Sequence, residues 1–302
     1  MNTTYHEGEL MAQELAGERS VAQRNGIMVN DRIIPGAVNF IEKLPFNIVT
    51  SVNENGTLAV SVVAGRSGFV KVMDDRTIHI HKNLVTSNPS DIFWKNIENT
   101  SAIGILFIEP QTRRRYRLNG SITWGDELLE VHVKQAYPNC PKYVQQRSIV
   151  WNDAQTYNEH TEHGSSFAGI REYIVKADTV FVGSSDARSN LDASHRGGQP
   201  GFIVVQDDKT LLIPDYAGNS MFNTLGNLLQ NTNVALLFAD FENNKQLQIS
   251  GTAKVHWNTP PPELNTGGTG RYWEITLGQW TMQENFKGMS STFISYSNFN
   301  PV

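Results

Sequence analysis

The chain has 302 residues, a formal charge of −5 from 25 basic and 30 acidic side chains, 39% hydrophobic residues and a single cysteine, Cys140. So weak an acidic balance gives no electrostatic case for nucleic acid or an anionic membrane surface, and one cysteine excludes an intrachain disulfide and a cysteine-based zinc site. The length predicts two domains. No run approaches the ~18 apolar residues of a membrane span, and the opening MNTTYHEGELMAQELAGERS lacks the basic start and apolar stretch of a secretory signal, so a cytoplasmic protein is expected.

In chain order, residues 1–37 read as an N-terminal helical segment. Leu10, Met11, Leu15 and Val21 recur at helical spacing over Glu7–Arg24. The HEGE run at His6 lacks the second histidine of a zinc-protease helix and reads as a helix start. Residues 38–135 alternate in the manner of strands, and Glu127–Lys134, with Leu129, Val131 and Val133, predicts a closing strand. His79 and His81 share one strand face and read as exposed. Arg113, Arg114, Arg115 and Arg117 read as a solvated hairpin end. Residues 136–165 read as a helical linker, with Pro141 as first helical residue behind Asn139. His160 and His163, beside Glu159 and Glu162, have metal-compatible spacing but lack a convincing third ligand, so no metal site is predicted. Residues 166–258 form a second β unit. Residues 259–302 hold a Pro/Gly-rich loop, a strand over Arg271–Leu277 and a tail.

The second unit is the better marked. Apolar runs at Val180–Val182, Phe202–Val205, Leu211–Ile213 and Val234–Phe238 are bounded by Gly, Pro, Asn or Asp, and Gln246–Ser250 predicts a fifth strand. Asn219–Gln230, with Phe222, Leu225, Leu228 and Leu229, predicts a short helix before the fourth run. The pattern occurs twice. Ser51, Ser61, Gly68, Asp74 and Thr77 recur as Ser184, Ser194, Gly201, Asp207 and Thr210 at an offset of 133, and Leu106 and Gly120 recur as Leu237 and Gly251 at 131. A repeat of this length is a whole domain present twice, not a solenoid unit.

The words HRGGQPGF, LLIPDYAGN, TLGNLLQNTNVALLF and QLQISG, in that order, resemble the FMN-binding split-barrel family of pyridoxamine 5'-phosphate oxidase-like proteins. YHEGELMAQELAG resembles the opening of some longer members. The resemblance implies a mainly β (α+β) chain of two tandem split β-barrels with short flanking helices. In single-barrel relatives two chains pair with the flavin between them, so the two copies here are expected to pair as an intrachain pseudo-dimer, with a further homodimer compatible. The implied function is an FMN-dependent oxidoreductase of unknown substrate. True vitamin B6 oxidation is not expected, because that grip uses Arg and His near the C-terminus, whereas after Trp257 the chain has Arg271 as its single arginine and no histidine. A non-catalytic flavin or small-molecule binder, and a haem-binding or haem-degrading split barrel using His160, His163 or His195, are the alternatives.

No dinucleotide fingerprint, phosphate-loop lysine motif or GxSxG elbow is present, so a cofactor would carry any chemistry. A flavin phosphate would sit at a helix start. The resemblance puts this junction after Pro214 and Asp215. Counting forward places Asn219 and Ser220 there, and counting back places Asn223 and Thr224. The family's Arg and Lys are not matched at either, and Arg196 is the candidate substitute, with Gly197 and Gly198 letting backbone approach the ligand. Gln246 and Gln248 alternate onto one strand face and would meet the flavin edge. Arg115, at the position of Gln246 in the first copy, would meet an anionic phosphate. HRGG in the second copy is VVAG in the first, so at most one functional cleft, built largely from the second copy, is expected.

Overall fold

The computed structural model describes residues 4–151, 160–284 and 289–301. Two helices open the chain, α1 (Glu7–Leu15) and α2 (Arg19–Gly26). They are separated at Gly17, whose φ of 67° takes the left-handed conformation that ends a helix. The single helix expected over Glu7–Arg24 is therefore two. His6 caps α1 by accepting from Gly8 N while Glu9 accepts from His6 N, so the HEGE run is a capping box.

The first barrel comprises α3 (Val38–Lys43), β1 (Phe46–Val52), β2 (Leu58–Ala64), β3 (Val70–Val72), β4 (Thr77–His81), α4 (Ile92–Asn99), β5 (Ala102–Glu109), β6 (Arg114–Trp124) and β7 (Leu128–Asn139). Between the barrels run β8 (Gln146–Trp151) and β9 (His160–Gly164). The second barrel comprises α5 (Arg171–Lys176), β10 (Thr179–Ser185), β11 (Leu191–Gly197), β12 (Val204–Val205), β13 (Thr210–Pro214), α6 (Asn223–Gln230), β14 (Asn233–Asp240), β15 (Lys245–His256) and β16 (Tyr272–Glu284), and β17 (Met289–Ser295) follows.

The two sheets have one topology. The first is ordered β2-β1-β5-β6-β7-β4-β3, the second β11-β10-β14-β15-β16-β13-β12, with β9 added against β16. Local devices recur in both. Asp74 and Asp207 each accept from the backbone two residues on, at 2.7 Å. Asn96 donates to Ser51 Oγ at 3.0 Å as Asn227 does to Ser184 Oγ at 2.9 Å. The register shifts at Asn119/Gly120 and at Ser250/Gly251, where the glycines admit a bulge.

Each barrel has its own core, around Phe69, Phe93, Phe107 and Leu118 in the first and Phe167, Phe238, Leu247 and Trp273 in the second. A third cluster joins them, with Phe46, Ile48, Val60 and Leu106 from one barrel and Phe181, Ala193 and Leu237 from the other. The contacts are reciprocal: β5 meets β11 as β14 meets β2, and β6 meets β11 as β15 meets β2. That is the self-complementary interface of a twofold, formed within one chain.

Several sequence expectations are corrected. The linker over 136–165 is not helical where described: β7 runs to Asn139, Pro141 precedes a turn at Lys142 and Tyr143, and β8 and β9 are strands. Register pairing of Arg115 with Asn139 holds that end of β7 extended, so Asn139 caps nothing. The strand placed outside the second barrel, Arg271–Leu277, is β16. It is a central strand of that barrel, paired to β13, β15 and β9. Leu191–Gly197, to which no strand was assigned from the sequence, is β11, paired to β10 along its length. Of Phe202–Val205, Val204 and Val205 alone are strand. Asn219–Phe222 precede α6 as a loop in which Ser220 and Phe222 both have φ of 60°. Among the described residues no helix is long and apolar enough to cross a membrane.

Candidate functional site

The interface creates two clefts related by the internal twofold. The first is built from β11, the start of α6 and, from the other barrel, β6. Of the residues singled out from the sequence, Pro214, Asp215, Asn219, Ser220, Asn223, Thr224, Arg196 and Gly197 line it, together with Arg115, Arg117, Cys140, Tyr143, His195 and Arg271. Gly198 is not in the lining; a Cβ there would sit 2.5 Å from Phe202 Cβ.

Four guanidinium groups converge on this cleft. Arg117 is 6% exposed and pairs with Asp192 at 3.0 Å, with Tyr137 Oη at 3.1 Å and Asn223 Oδ1 at 3.3 Å. Burial opposes its charge most strongly of any one influence, but Asp192, Tyr137 and Glu9 together outweigh it and hold the guanidinium above its usual value. Arg271 pairs with Asp215 at 3.1 Å and Glu18 at 2.8 Å. Arg196 lies 3.7 Å from Asp215 and over the Trp273 ring. Arg115 has no carboxylate among these partners. It donates to the carbonyl oxygens of Cys140 and Lys142, and its Nη1 faces His195 Nδ1 at 3.4 Å. Burial, with Arg117 and Arg196 beside it, pushes Arg115 down to about 9. Burial, with Arg115, Arg196 and Arg147 nearby, holds His195 well below its usual value, so its imidazole is neutral.

A buried cation without a counter-ion is costly, and buried polar atoms ordinarily have partners. Arg115 Nε, Arg117 Nε and Arg196 Nε have none. Asn223, Thr224 and Leu225, the first residues of α6, line the same cleft, and helix amides of the first turn have no intrahelical acceptor. Charge and donors therefore suit an anion. The free volume is about 90 Å³. That is room for roughly three waters, hence for a phosphate, and it is below the roughly 300 Å³ at which pockets for organic ligands begin. The residues fit the phosphate end of an FMN; the isoalloxazine exceeds the space.

Gln246 and Gln248 are not brought to this cleft. They lie on β15 and serve the second cleft, with β2 and α4. Gln246 is 2% exposed and bonds to Gln283. Gln248 Nε2 donates to Val60 O and Ser61 Oγ at 3.0 Å and to Asp91 Oδ2 at 3.2 Å. Their counterparts in the first cleft are Arg115 and Arg117, because each cleft takes this strand from the opposite barrel. Reading a site within one copy missed that exchange; the two-residue change in repeat offset, which aligns Gln248 with Arg117, was the available signal. Arg115 and Arg117 are accordingly not a solvated hairpin end. The second groove is wider, about 950 Å³, and is lined by amides such as Asn53, Asn88 and Gln279, with Lys95 as its one Lys or Arg.

The remaining histidines stand apart. His79 contacts Glu130 across the sheet at 3.0 Å, an acidic partner not foreseen from sequence. His160 and His163 are exposed on β9; Glu159 lies outside the described residues. Among the described residues no three His, Cys, Asp or Glu side chains form a metal-binding group.

Residues 168–290 match the family model described as Pyridoxamine 5'-phosphate oxidase. No curated protein matches the chain. Among solved structures, HupZ from Group A Streptococcus is 16% identical, covering 35% of this chain and 93% of its own, with a TM-score of 0.28. HutZ, titled the haem storage protein from Vibrio cholerae, is 12% identical over 42% of this chain and 92% of its own, at 0.26. A Clostridium acetobutylicum protein titled as of the pyridoxinephosphate oxidase family is 12% identical over 35% and 91%, at 0.23.

Proposed function

We propose that this chain, whose residues 168–290 match the pyridoxamine 5'-phosphate oxidase family model, binds one phosphorylated ligand of the FMN class in its cationic cleft and serves as a flavin-dependent oxidoreductase. The observation that carries the reading is Arg115: a half-buried guanidinium facing carbonyls and a neutral imidazole, its buried Nε without a partner. Such a group is satisfied by an anion.

Arg115 and Arg196 would hold the phosphate from opposite barrels, and the first amides of α6 would add oriented N–H donors. Asp192 fixes Arg117 and Asp215 fixes Arg271, so both guanidinium groups are oriented before ligand arrives. His195, kept neutral, adds no charge and offers a ring nitrogen at the wall. A bound flavin would supply the electron transfer, since the lining contains no paired nucleophile and base of its own. The first cleft alone is proposed to bind phosphate, because Val62 and Val63 stand in the second where His195 and Arg196 stand in the first.

The visible spectrum of the purified chain, followed by titration with FMN, tests the reading. Arg196→Ala is expected to weaken FMN about ten- to a hundredfold, from the roughly 1.5–3 kcal/mol of a charge-assisted contact, with the circular dichroism spectrum unchanged. Equal affinity in the variant removes Arg196 from the site. A chain that takes up no phosphorylated ligand removes the function.

A further inference from the structure

Both N-terminal helices are fastened to the segment that forms the anion cleft. Asn25 Nδ2 donates to Asn219 O at 2.7 Å and Gln13 Nε2 to Met221 O at 3.2 Å. His6 Nε2 lies 3.0 Å from Asn227 Oδ1, and Asn223 Nδ2 donates to Glu9 Oε1. The backbones of α1 and α6 touch where a Cβ on Gly8 would be 2.1 Å from Gly226 O. The segment held in this way contains Ser220 and Phe222, two non-glycine residues at φ of 60°, a conformation that persists only where its surroundings impose it.

Glu18 stands at the N-cap position of α2 yet makes no capping bond. Its carboxylate turns to the cleft instead. Oε2 accepts from Ser220 Oγ at 2.5 Å and Oε1 from Arg271 Nη1 at 2.8 Å, and both donors belong to residues lining the anion pocket. The charges nearly balance. Arg115, Arg117, Arg196 and Arg271 face Asp192, Asp215 and Glu18. A phosphate dianion added to this set would leave an excess of buried negative charge unless one carboxylate departs, and unpaired buried charge is strongly disfavoured. Glu18 is the one whose release is easiest, since its side chain is 28% exposed against 4% for Asp192 and 8% for Asp215.

We propose that Glu18 is an internal stand-in for the ligand's anion, occupying the Ser220 hydroxyl and the Arg271 guanidinium, and that a phosphate ester binds by displacing it and loosening α1 and α2 from the cleft. The proposal rests on the phosphate reading above. Ligand and carboxylate compete for the same donors, so the ligand must bind the displaced state better by at least the strength of the Glu18 contacts. Loosening this wall would also widen a pocket that now has room for a phosphate alone.

The test uses the full chain, with inorganic phosphate and FMN as probes. Glu18→Gln removes the competing charge with little change of shape and is expected to bind both probes about tenfold more tightly than wild type, whereas Arg196→Ala weakens them. In wild type, saturating FMN should speed tryptic cleavage after Arg19 and Arg24, the two arginines of α2, a readout that needs no variant to fold. If wild type binds the probes but Glu18→Gln binds them equally or more weakly, and cleavage of α2 is unchanged or slowed by ligand, the stand-in role is wrong while the phosphate reading survives. If wild type binds neither probe, both fall together.

Discussion

The two clefts occupy equivalent places in one duplicated fold and have opposite chemistry. In the first, Ser194 on β11 meets Thr224 at 3.0 Å, and the opposite barrel contributes Arg115 and Arg117. In the second, Ser61 on β2 meets Asp91 at 2.5 Å, and the opposite barrel contributes Gln246 and Gln248. The second cleft closes its own network: Gln248 spans Val60, Ser61 and Asp91, and burial holds the Asp91 carboxyl above its usual range. The first leaves a cation uncompensated. It alone carries the N-terminal helices, because α1 crosses α6 at Gly226, where the first barrel has exposed Lys95 at the matching helix position. The two barrels share the scaffold and its anchoring bonds. One cleft is a satisfied structural joint, while the other holds groups that a stable core alone does not call for.

That contrast breaks most readily at Arg117. Arg117→Gln puts in the first cleft the residue the second has, but it strands Asp192, which is 3% exposed. Removing one partner of a buried pair costs about 3–5 kcal/mol, so a large fall in urea midpoint is expected. A neutral result would mean that the Arg117–Asp192 pair contributes nothing, and the first cleft would be as self-sufficient as the second.

Glu9 sharpens the comparison through pH. It is 3% exposed, and burial pushes it up to about 7 from 4.5. The folded chain therefore holds a proton that the unfolded chain has lost, and stability should fall as pH rises from about 4.5 to about 7. Glu9→Gln should flatten that slope and be more stable than wild type above pH 7 by about 1–3 kcal/mol, allowing for one altered hydrogen bond. Parallel stability curves for the two proteins from pH 4 to 8 would show that the carboxyl is not held protonated.

The fold was legible because alternation, turn residues and the repeat offset all report burial against the barrel's own core. The strand β11 was not. Its LDASHRG carries polar residues that are buried, Asp192 at 3%, Ser194 at 0% and His195 at 4%, because its face meets the other barrel and the cleft. Hydrophobic periodicity cannot reveal a polar face satisfied by a distant segment. For the same reason Arg196, which no predicted strand included, is a strand residue paired to Val180. The linker strands β8 and β9 pair with β17 and β16, over a hundred residues away, and their local sequence gives no sign of it. The candidate site was half legible. The loop before α6 and the residues of HRGG were found from one copy, and Arg115 through its match to Gln246, whereas Arg117 was masked by its resemblance to part of a surface charge cluster.

The central claim, one phosphate-binding cleft per chain organised by Arg115, is tested most directly by calorimetric titration of FMN into wild type and Arg115→Gln. That substitution gives the first cleft the residue found at the matching position of the second. One site per chain is predicted for wild type, with affinity about ten- to a hundredfold weaker in Arg115→Gln. Two equal sites per chain, or one site indifferent to Arg115→Gln, would contradict it.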